Sequence, residues 1–289
     1  MKLLIIGKTG QLGSALINDA IALGYEVVAP SRQELDISDD AAFLYEMKKH
    51  LPDVVINTAA FHNVPLCETE PENAFKFNCF AVKRMAEISN ELNSWFVSFS
   101  TDYVFDGEKG GTYIESDRPH PLQIYGLSKL AGEHAALVYS DMSIIIRTCG
   151  LYGLRGASSR GGNFVDNRIK DAKPNTRMEI GSDQTVSPTY AGDLSTAVLQ
   201  LIMHPEKEKG IYHLVNEGYC TWYEFTKQIF NILDVDVDLC PVDRQGKTGN
   251  MKRPLFSALK NTKAAKLGVV LPHWEQGLYE YLKLKYEAE

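Results

Sequence analysis

The chain has 289 residues, 44% hydrophobic and 23% charged, with a formal net charge of -7. That is the composition of an ordinary globular protein with a sizeable core, and the acidic balance argues against a nucleic-acid partner, which needs a basic face. No apolar run is long enough to span a bilayer, and the opening "LLII" reads as a buried strand rather than a signal peptide. Cys67, Cys79, Cys149, Cys220 and Cys240 form no CxxC pair, so neither a disulfide framework nor a metal site is expected. The expectation is a cytoplasmic enzyme or binding protein without a membrane partner.

In chain order, "KLLIIG" is a short apolar strand, and "LGSALINDAIALG" carries apolar residues at helical spacing and closes on Gly24. "YEVVAPS" is the second strand, "AAFLYEMKKHL" a helix, "DVVINTAA" the third strand and "ENAFKFNCFAVKRMAEISNEL" a long helix. "WFVSFSTDYVF" is the fourth strand. A loop and the helix "YGLSKLAGEHAALVY" follow, then the fifth strand "MSIIIRT". Strands alternating with helices predict an α/β fold, a Rossmann-type doubly wound parallel sheet with helices on both faces. Past Thr148 the rhythm breaks. "GLYGLRGASSRGG" is loop-like and "NFVDNRIKDA" helical, and "SDQTVSPTYAGDLSTAVLQLIM" is a turn followed by a helix. "GIYHLVN", the helix "TWYEFTKQIFNIL", "VDVDLCPV" and a C-terminal helix complete the chain. The organisation expected is a dinucleotide unit of residues 1–148 with about 189–215, and a smaller mixed lobe of about 149–188 and 216–289.

"GKTGQLG" joins the first strand to the first helix. Helix N-termini carry unpaired N–H groups and a positive dipole end, which together suit an anion. Gly7, Gly10 and Gly13 let the backbone turn sharply and approach a pyrophosphate closely. The spacing is GxxGxxG rather than GxGxxG, and the second strand ends in "APSR" instead of at an acidic residue. Ser31 and Arg32 occupy the place where a carboxylate would repel a 2′-phosphate, and Lys8 can join them. NADPH is the cofactor expected, with NADH tolerated; the competing reading leaves both bases as solvated surface charges.

Tyr125 and Lys129 stand four residues apart, on one helix face. A phenol titrates near pH 10 in water, and a neighbouring ammonium makes it a better proton shuttle while orienting a cofactor ribose. Thr101 ends the fourth strand, at the edge where ligands bind in open α/β sheets. Thr101, Tyr125 and Lys129 form the candidate catalytic set. Arg253, before Pro254, is a candidate for a nucleotide diphosphate, or a surface residue. Asp183, Gln184 and the "SPT" after them can form a turn that caps the next helix. Trp222 and Tyr223, at helical spacing with Phe225 and Phe230, read as core rather than as a ligand platform.

These motifs, with "LDISD", "NTAAF", "STDYVFDG", "YGLSK", "DQTVSPTYAGDL", "TWYEF" and "RPLFS", give a chain that resembles the extended short-chain dehydrogenase/reductases along almost its whole length. Within them it is similar to the dTDP-4-dehydrorhamnose reductases. The resemblance implies reduction of the 4-keto group of a nucleotide-linked 6-deoxysugar, on the way to dTDP-L-rhamnose for surface polysaccharide. It implies that Gln11, Leu12 and Gly13 line the pyrophosphate, that Asp36 and Ile37 meet the adenine, and that Ala59, Ala60, Phe61 and His62 run along the nicotinamide half. His62, Val64, Thr101, Asp102, Tyr103 and Gly150 would border the sugar. Some members pair as homodimers around a magnesium ion, and no signature here decides either point. Two other roles stay open: an NADP-binding regulatory subunit of the methionine adenosyltransferase type, and a sugar-nucleotide epimerase or dehydratase. Two departures concern the substrate. The family usually carries a tryptophan packed on the sugar shortly after "RT", where this chain has Gly150. It usually reads "AAYTAVDKAE" where this chain has "AAFHNVPLCE".

Overall fold

A computed structural model describes residues 1–155, 162–172, 177–248 and 251–286. Residues 156–161 of the expected loop "GLYGLRGASSRGG" and the last three residues of the chain lie outside that description. Six described strands build one all-parallel sheet: β1 (Lys2–Ile6), β2 (Glu26–Val28), β3 (Val54–Asn57), β4 (Trp95–Thr101), β5 (Ser143–Thr148) and, much later in the chain, Gly210–His213. In space the order is β2-β1-β3-β4-β5 and then Gly210–His213. Strand order reverses at β1, so a crevice opens above the carboxyl ends of β1 and β3.

The strands are continuous apolar runs because both faces are covered. Alternate residues go to opposite sides. Leu3, Ile5, Val54, Ile56, Val97, Ile144 and Ile146 join α1 (Gln11–Ala22) and the helix Ala191–Met203. Leu4, Ile6, Val55, Phe96 and Ile145 pack on α2 (Asp40–His50), α5 (Ala81–Glu91) and α6 (Ile124–Tyr139). Each fully buried leucine, isoleucine or valine here contributes roughly 1.5–3 kcal/mol.

Three segments differ from the periodicity reading. The fourth strand stops at Thr101, and Asp102–Val104 form a 3-10 turn, because the Thr101 hydroxyl accepts the Tyr103 N–H at 3.2 Å and turns the chain over the sheet edge. The long helix after β3 is three pieces: α4 (Pro71–Phe75), a π-helical turn Lys76–Phe80, and α5. The π turn lets Asn78 reach both the Phe61 backbone and α6, a placement typical of functional sites. An unanticipated helix, α3 (Val64–Thr69), starts where Asn63 caps the Leu66 N–H at 3.2 Å and Pro65 fills the first turn.

The remaining described elements are β6 (Leu151–Tyr152), α7 (Phe164–Asp171), β7 (Arg177–Gly181), β8 (Thr185–Val186), β9 (Thr189–Tyr190), α8 (Ala191–Met203), β10 (Gly210–His213), β11 (Cys220–Thr221), α9 (Trp222–Ile232), β12 (Asp238–Val242), β13 (Lys247–Thr248), β14 (Met251–Lys252), α10 (Thr262–Lys266) and α11 (Trp274–Tyr286). β7 and β12 pair in parallel, and α7, α9 and α11 close a separate aromatic core around Tyr152, Phe225, Trp274 and Tyr281. α8 begins without the side-chain cap expected from the "SPT" turn; instead Asn216 accepts the Tyr190 N–H at 2.8 Å. Among the described residues no helix is long and apolar enough to cross a membrane.

Candidate active site

A cleft of about 580 Å3 runs from the start of α1, along the carboxyl edge of β3, β4 and β5, to β7, β8 and α9. At one end β1 turns into α1. Gly10 is the residue before α1 and no side chain caps the helix there, an arrangement that suits an anion. The turn itself is too tight for side chains. A Cβ on Gly13 would lie 2.2 Å from the Gly7 carbonyl oxygen, and one on Gly7 (φ +94°) would lie 2.3 Å from Thr58 Oγ1. The close packing brings helix to strand, which is what the glycines are for.

Of the residues expected to hold a cofactor, Gly10, Gln11, Leu12, Ala59, Ala60, His62, Tyr125 and Lys129 line the cleft. Gln11 donates to the Leu151 carbonyl at 3.3 Å, while its Oε1 is buried without a partner among the described residues. Asn57 Nδ2 and Thr148 Oγ1, also on cleft residues, are likewise buried and without a partner among the described residues. Buried polar atoms left open along one groove are what a long polar ligand would satisfy. Gly7 and Gly13 stand behind the wall, and Phe61 is tied away from it. Phe61 exchanges two backbone bonds with Asn78 at 2.9 Å and stacks on Phe77 at 6.3 Å.

Ser31, Arg32, Asp36 and Ile37 do not border the cleft. Ile37 is buried in the core face under α2, and Asp36 accepts bonds from Ser38, which hold its carboxyl below the usual range. The strand end "APSR" is not free of a carboxylate, contrary to expectation. A carboxylate does sit at this turn, because the chain folds back three residues later. Glu34 Oε2 accepts the Ser31 N–H at 2.6 Å and pairs with Lys8 at 3.4 Å, and the Ser31 hydroxyl accepts the Glu34 N–H at 3.3 Å. The Ser31 N–H, with Lys8 beside it, pulls the Glu34 carboxyl down to about 2.

Thr101, Asp102, Tyr103, Tyr125 and Lys129 come together beside His62, Val64 and Gly150. α6 is anchored at its start: Gln123 accepts the Gly126 N–H at 2.6 Å and Glu68 accepts the Ile124 N–H at 2.7 Å. A Cβ on Gly126 would lie 2.1 Å from the Tyr103 carbonyl, so α6 docks tightly against the 3-10 turn. Tyr125 stands edge-on to Tyr103, 6.2 Å between centroids. One turn on, Lys129 is 5% exposed, and burial pulls its ammonium down to about 8, opposed by the charge of Glu133.

Glu133 was not anticipated. It lies one turn beyond Lys129 and accepts both Arg147 Nε at 2.9 Å and Arg147 Nη2 at 2.6 Å, as well as the Ser100 hydroxyl. Both partners are buried, which forces this bidentate geometry. Thr101 donates to Asp102 at 3.0 Å, and Ser257 donates to the other Asp102 oxygen at 2.6 Å. Burial pushes the Asp102 carboxyl up, and the adjoining Cys149 thiol as well.

Towards β7 and α9, Arg253, Arg168 and Arg244 line the wall, the last two unanticipated. Arg168 Nε and Arg253 Nε are buried without a partner among the described residues. Trp222, expected as core, has both roles: it packs on Phe164 and also borders the cleft. Among the described residues no cluster of three His, Cys, Asp or Glu side chains is arranged to hold a metal.

Comparison with known proteins follows the same outline. The model of the RmlD substrate binding domain matches residues 1–286. The spore coat polysaccharide biosynthesis protein SpsK of Bacillus subtilis is 35% identical over 99% of both chains. A dTDP-4-dehydrorhamnose reductase of Aggregatibacter actinomycetemcomitans is 35% identical over 96% of this chain and 97% of its own. The crystal structure of dTDP-4-dehydrorhamnose reductase from Bacillus anthracis, in complex with NADP, superposes with a TM-score of 0.90 at 31% identity, covering 97% of this chain and 98% of that one. The chain therefore belongs to the RmlD substrate-binding-domain family, on an extended Rossmann-type fold.

Proposed function

We propose that this protein is an NADPH-dependent reductase of the 4-keto group of a nucleotide-linked 6-deoxysugar, of the dTDP-4-dehydrorhamnose type. The observation that carries the reading is Tyr125 and Lys129 on one turn of α6, lining the same cleft as the uncapped start of α1. The reductase names of the relatives and the NADP complex of one of them support it. In this reading residues 1–148 with about 189–215 hold the cofactor, and about 149–188 with 216–289 hold the sugar nucleotide. The pairing of β10 with β5 and the packing of α8 on α1 support that division.

The first turn of α1 would hold the pyrophosphate, and Gln11 and Asn57 offer buried polar atoms to the cofactor beyond it. When bound, the reduced nicotinamide supplies a hydride to the carbonyl carbon. Tyr125 gives its phenolic proton to the carbonyl oxygen, and the Lys129 ammonium stabilises the phenolate left behind. Thr101 steadies the same oxygen. Its hydroxyl is held at the cleft edge by Asp102, to which it donates at 3.0 Å. Arg168, Arg244 and Arg253 suit the diphosphate of the sugar nucleotide.

Mixing the protein with NADPH and dTDP-4-keto-6-deoxyhexoses should consume absorbance at the reduced-nicotinamide wavelength. No turnover across a panel of keto-sugar nucleotides would remove the reading. Glu34 makes a second expectation. Its carboxylate occupies the Ser31 N–H and Lys8, the donors a 2′-phosphate would use. Glu34→Ala, which frees both donors and removes the negative charge, should therefore tighten NADPH while leaving NADH unchanged or weaker, checked by the ratio of the two KM values. An unchanged ratio would mean the 2′-phosphate is held elsewhere.

A further inference from the structure

Gly150 stands where the resemblance puts a tryptophan, and the space beside it is already filled by its neighbours. Its φ is +56°, in the left-handed region that side chains avoid. A Cβ there would lie 3.1 Å from Pro188 Cα and 3.5 Å from Cη2 of Trp222. The aromatic at this position is therefore the Trp222 indole, which packs against Gly150 and lines the same cleft. Gly150 follows Thr148, which lies in register with Thr101 across β4 and β5, so this is the end of the cleft where the carbonyl would react.

Trp222 is held rigidly. It is the first residue of α9, behind a reciprocal cap: Thr221 Oγ1 accepts the Glu224 N–H at 3.1 Å, and Glu224 accepts the Thr221 N–H at 2.8 Å. The Thr226 hydroxyl bonds the Trp222 carbonyl at 2.8 Å. The indole lies on Phe164, 4.4 Å between centroids and tilted 33°, with Phe225 edge-on at 6.2 Å. It is nonetheless only partly buried and forms part of the cleft wall. An aromatic surface already fixed by its neighbours loses little freedom when a ligand settles on it.

We propose that Trp222, from the lobe side, is the apolar platform for the hexose ring of the nucleotide sugar, in place of the residue that Gly150 does not provide. The proposal rests on the sugar-nucleotide reading above. The ring's C–H face and its 6-methyl group suit an indole, and its hydroxyls are left for the polar residues around Thr101.

The test uses two arms. In the first, a keto-sugar nucleotide turned over by the wild type is assayed with Trp222→Leu and Trp222→Phe, with NADPH affinity titrated in each. Trp222→Leu should raise KM about tenfold, and Trp222→Phe should recover most of the loss, both with unchanged NADPH affinity. An unchanged KM in Trp222→Leu overturns the proposal. In the second arm, tryptophan fluorescence is titrated with dTDP-L-rhamnose and with dTDP alone. Trp95, Trp222 and Trp274 are the chain's tryptophans, so a change lost in Trp222→Phe belongs to Trp222. The sugar nucleotide should produce that change and dTDP should not; equal responses would assign the indole to the base and overturn the proposal. Absence of turnover in the wild type, with the fluorescence difference intact, would count against the reaction and leave the platform standing.

Discussion

Replacing Tyr125 by phenylalanine is expected to lower kcat by roughly 10²–10⁴-fold, the range contributed by a positioned proton donor. Only the hydroxyl is lost. The ring keeps its edge-on contact with Tyr103, and α6 keeps its anchors at Gln123 and Glu68. Cofactor affinity should therefore change little, and KM for the sugar nucleotide only modestly. Stopped-flow consumption of NADPH at saturating substrate checks the first point, and fluorescence titration of NADPH the second. A variant with near-normal turnover would move proton delivery to another group.

Lys129→Met should separate activity from stability in opposite directions. The wild-type ammonium is buried and held at about 8, against about 10.4 for a lysine in the unfolded chain. Below pH 8 both states are protonated and the folded state bears the full cost of the buried charge. Between about 8 and 10.4 the unfolded chain binds more protons, so wild-type stability rises with pH across that window and the cost is gone above it. Methionine removes the cost. The variant should be more stable at pH 7 by roughly 3 kcal/mol, an advantage that shrinks from pH 8 upward. Denaturant melts at pH 7 and pH 9 read this directly. Turnover should be nearly lost and cofactor affinity weakened, since the charge next to the phenol is gone. The same value fixes a sign for the wild type: the reduction rate should fall as pH rises through about 8 and Lys129 loses its proton.

The sheet was readable because a parallel sheet covered on both sides needs unbroken apolar strands, and "KLLII", "VVIN" and "SIIIR" are such strands. Helical spacing likewise placed Tyr125 and Lys129 on one face. What periodicity cannot carry is register between distant segments. The π turn at Asn78 exists because α6 presses on it: a Cβ on Gly132 would lie 2.0 Å from the Asn78 carbonyl. Glu133, whose charge opposes the fall of the Lys129 pKa, is paired through space with Arg147 on a different element. Glu34 returns to Ser31 through a local reciprocal turn that the strand-end pattern did not disclose. Trp222 shares the helical spacing of Phe225 and Phe230, and spacing alone does not say that the capped end of α9 opens on the cleft.

The most direct measurement follows the label. NADPH deuterated at the reactive ring carbon is incubated with a dTDP-4-keto-6-deoxyhexose, and the product sugar is analysed by mass and NMR. The account predicts one deuterium at C4 of the sugar for each NADPH consumed, with incorporation falling to background in Tyr125→Phe. Consumption of NADPH with no deuterium on the sugar, or labelling that persists at full rate without the phenol, would contradict it.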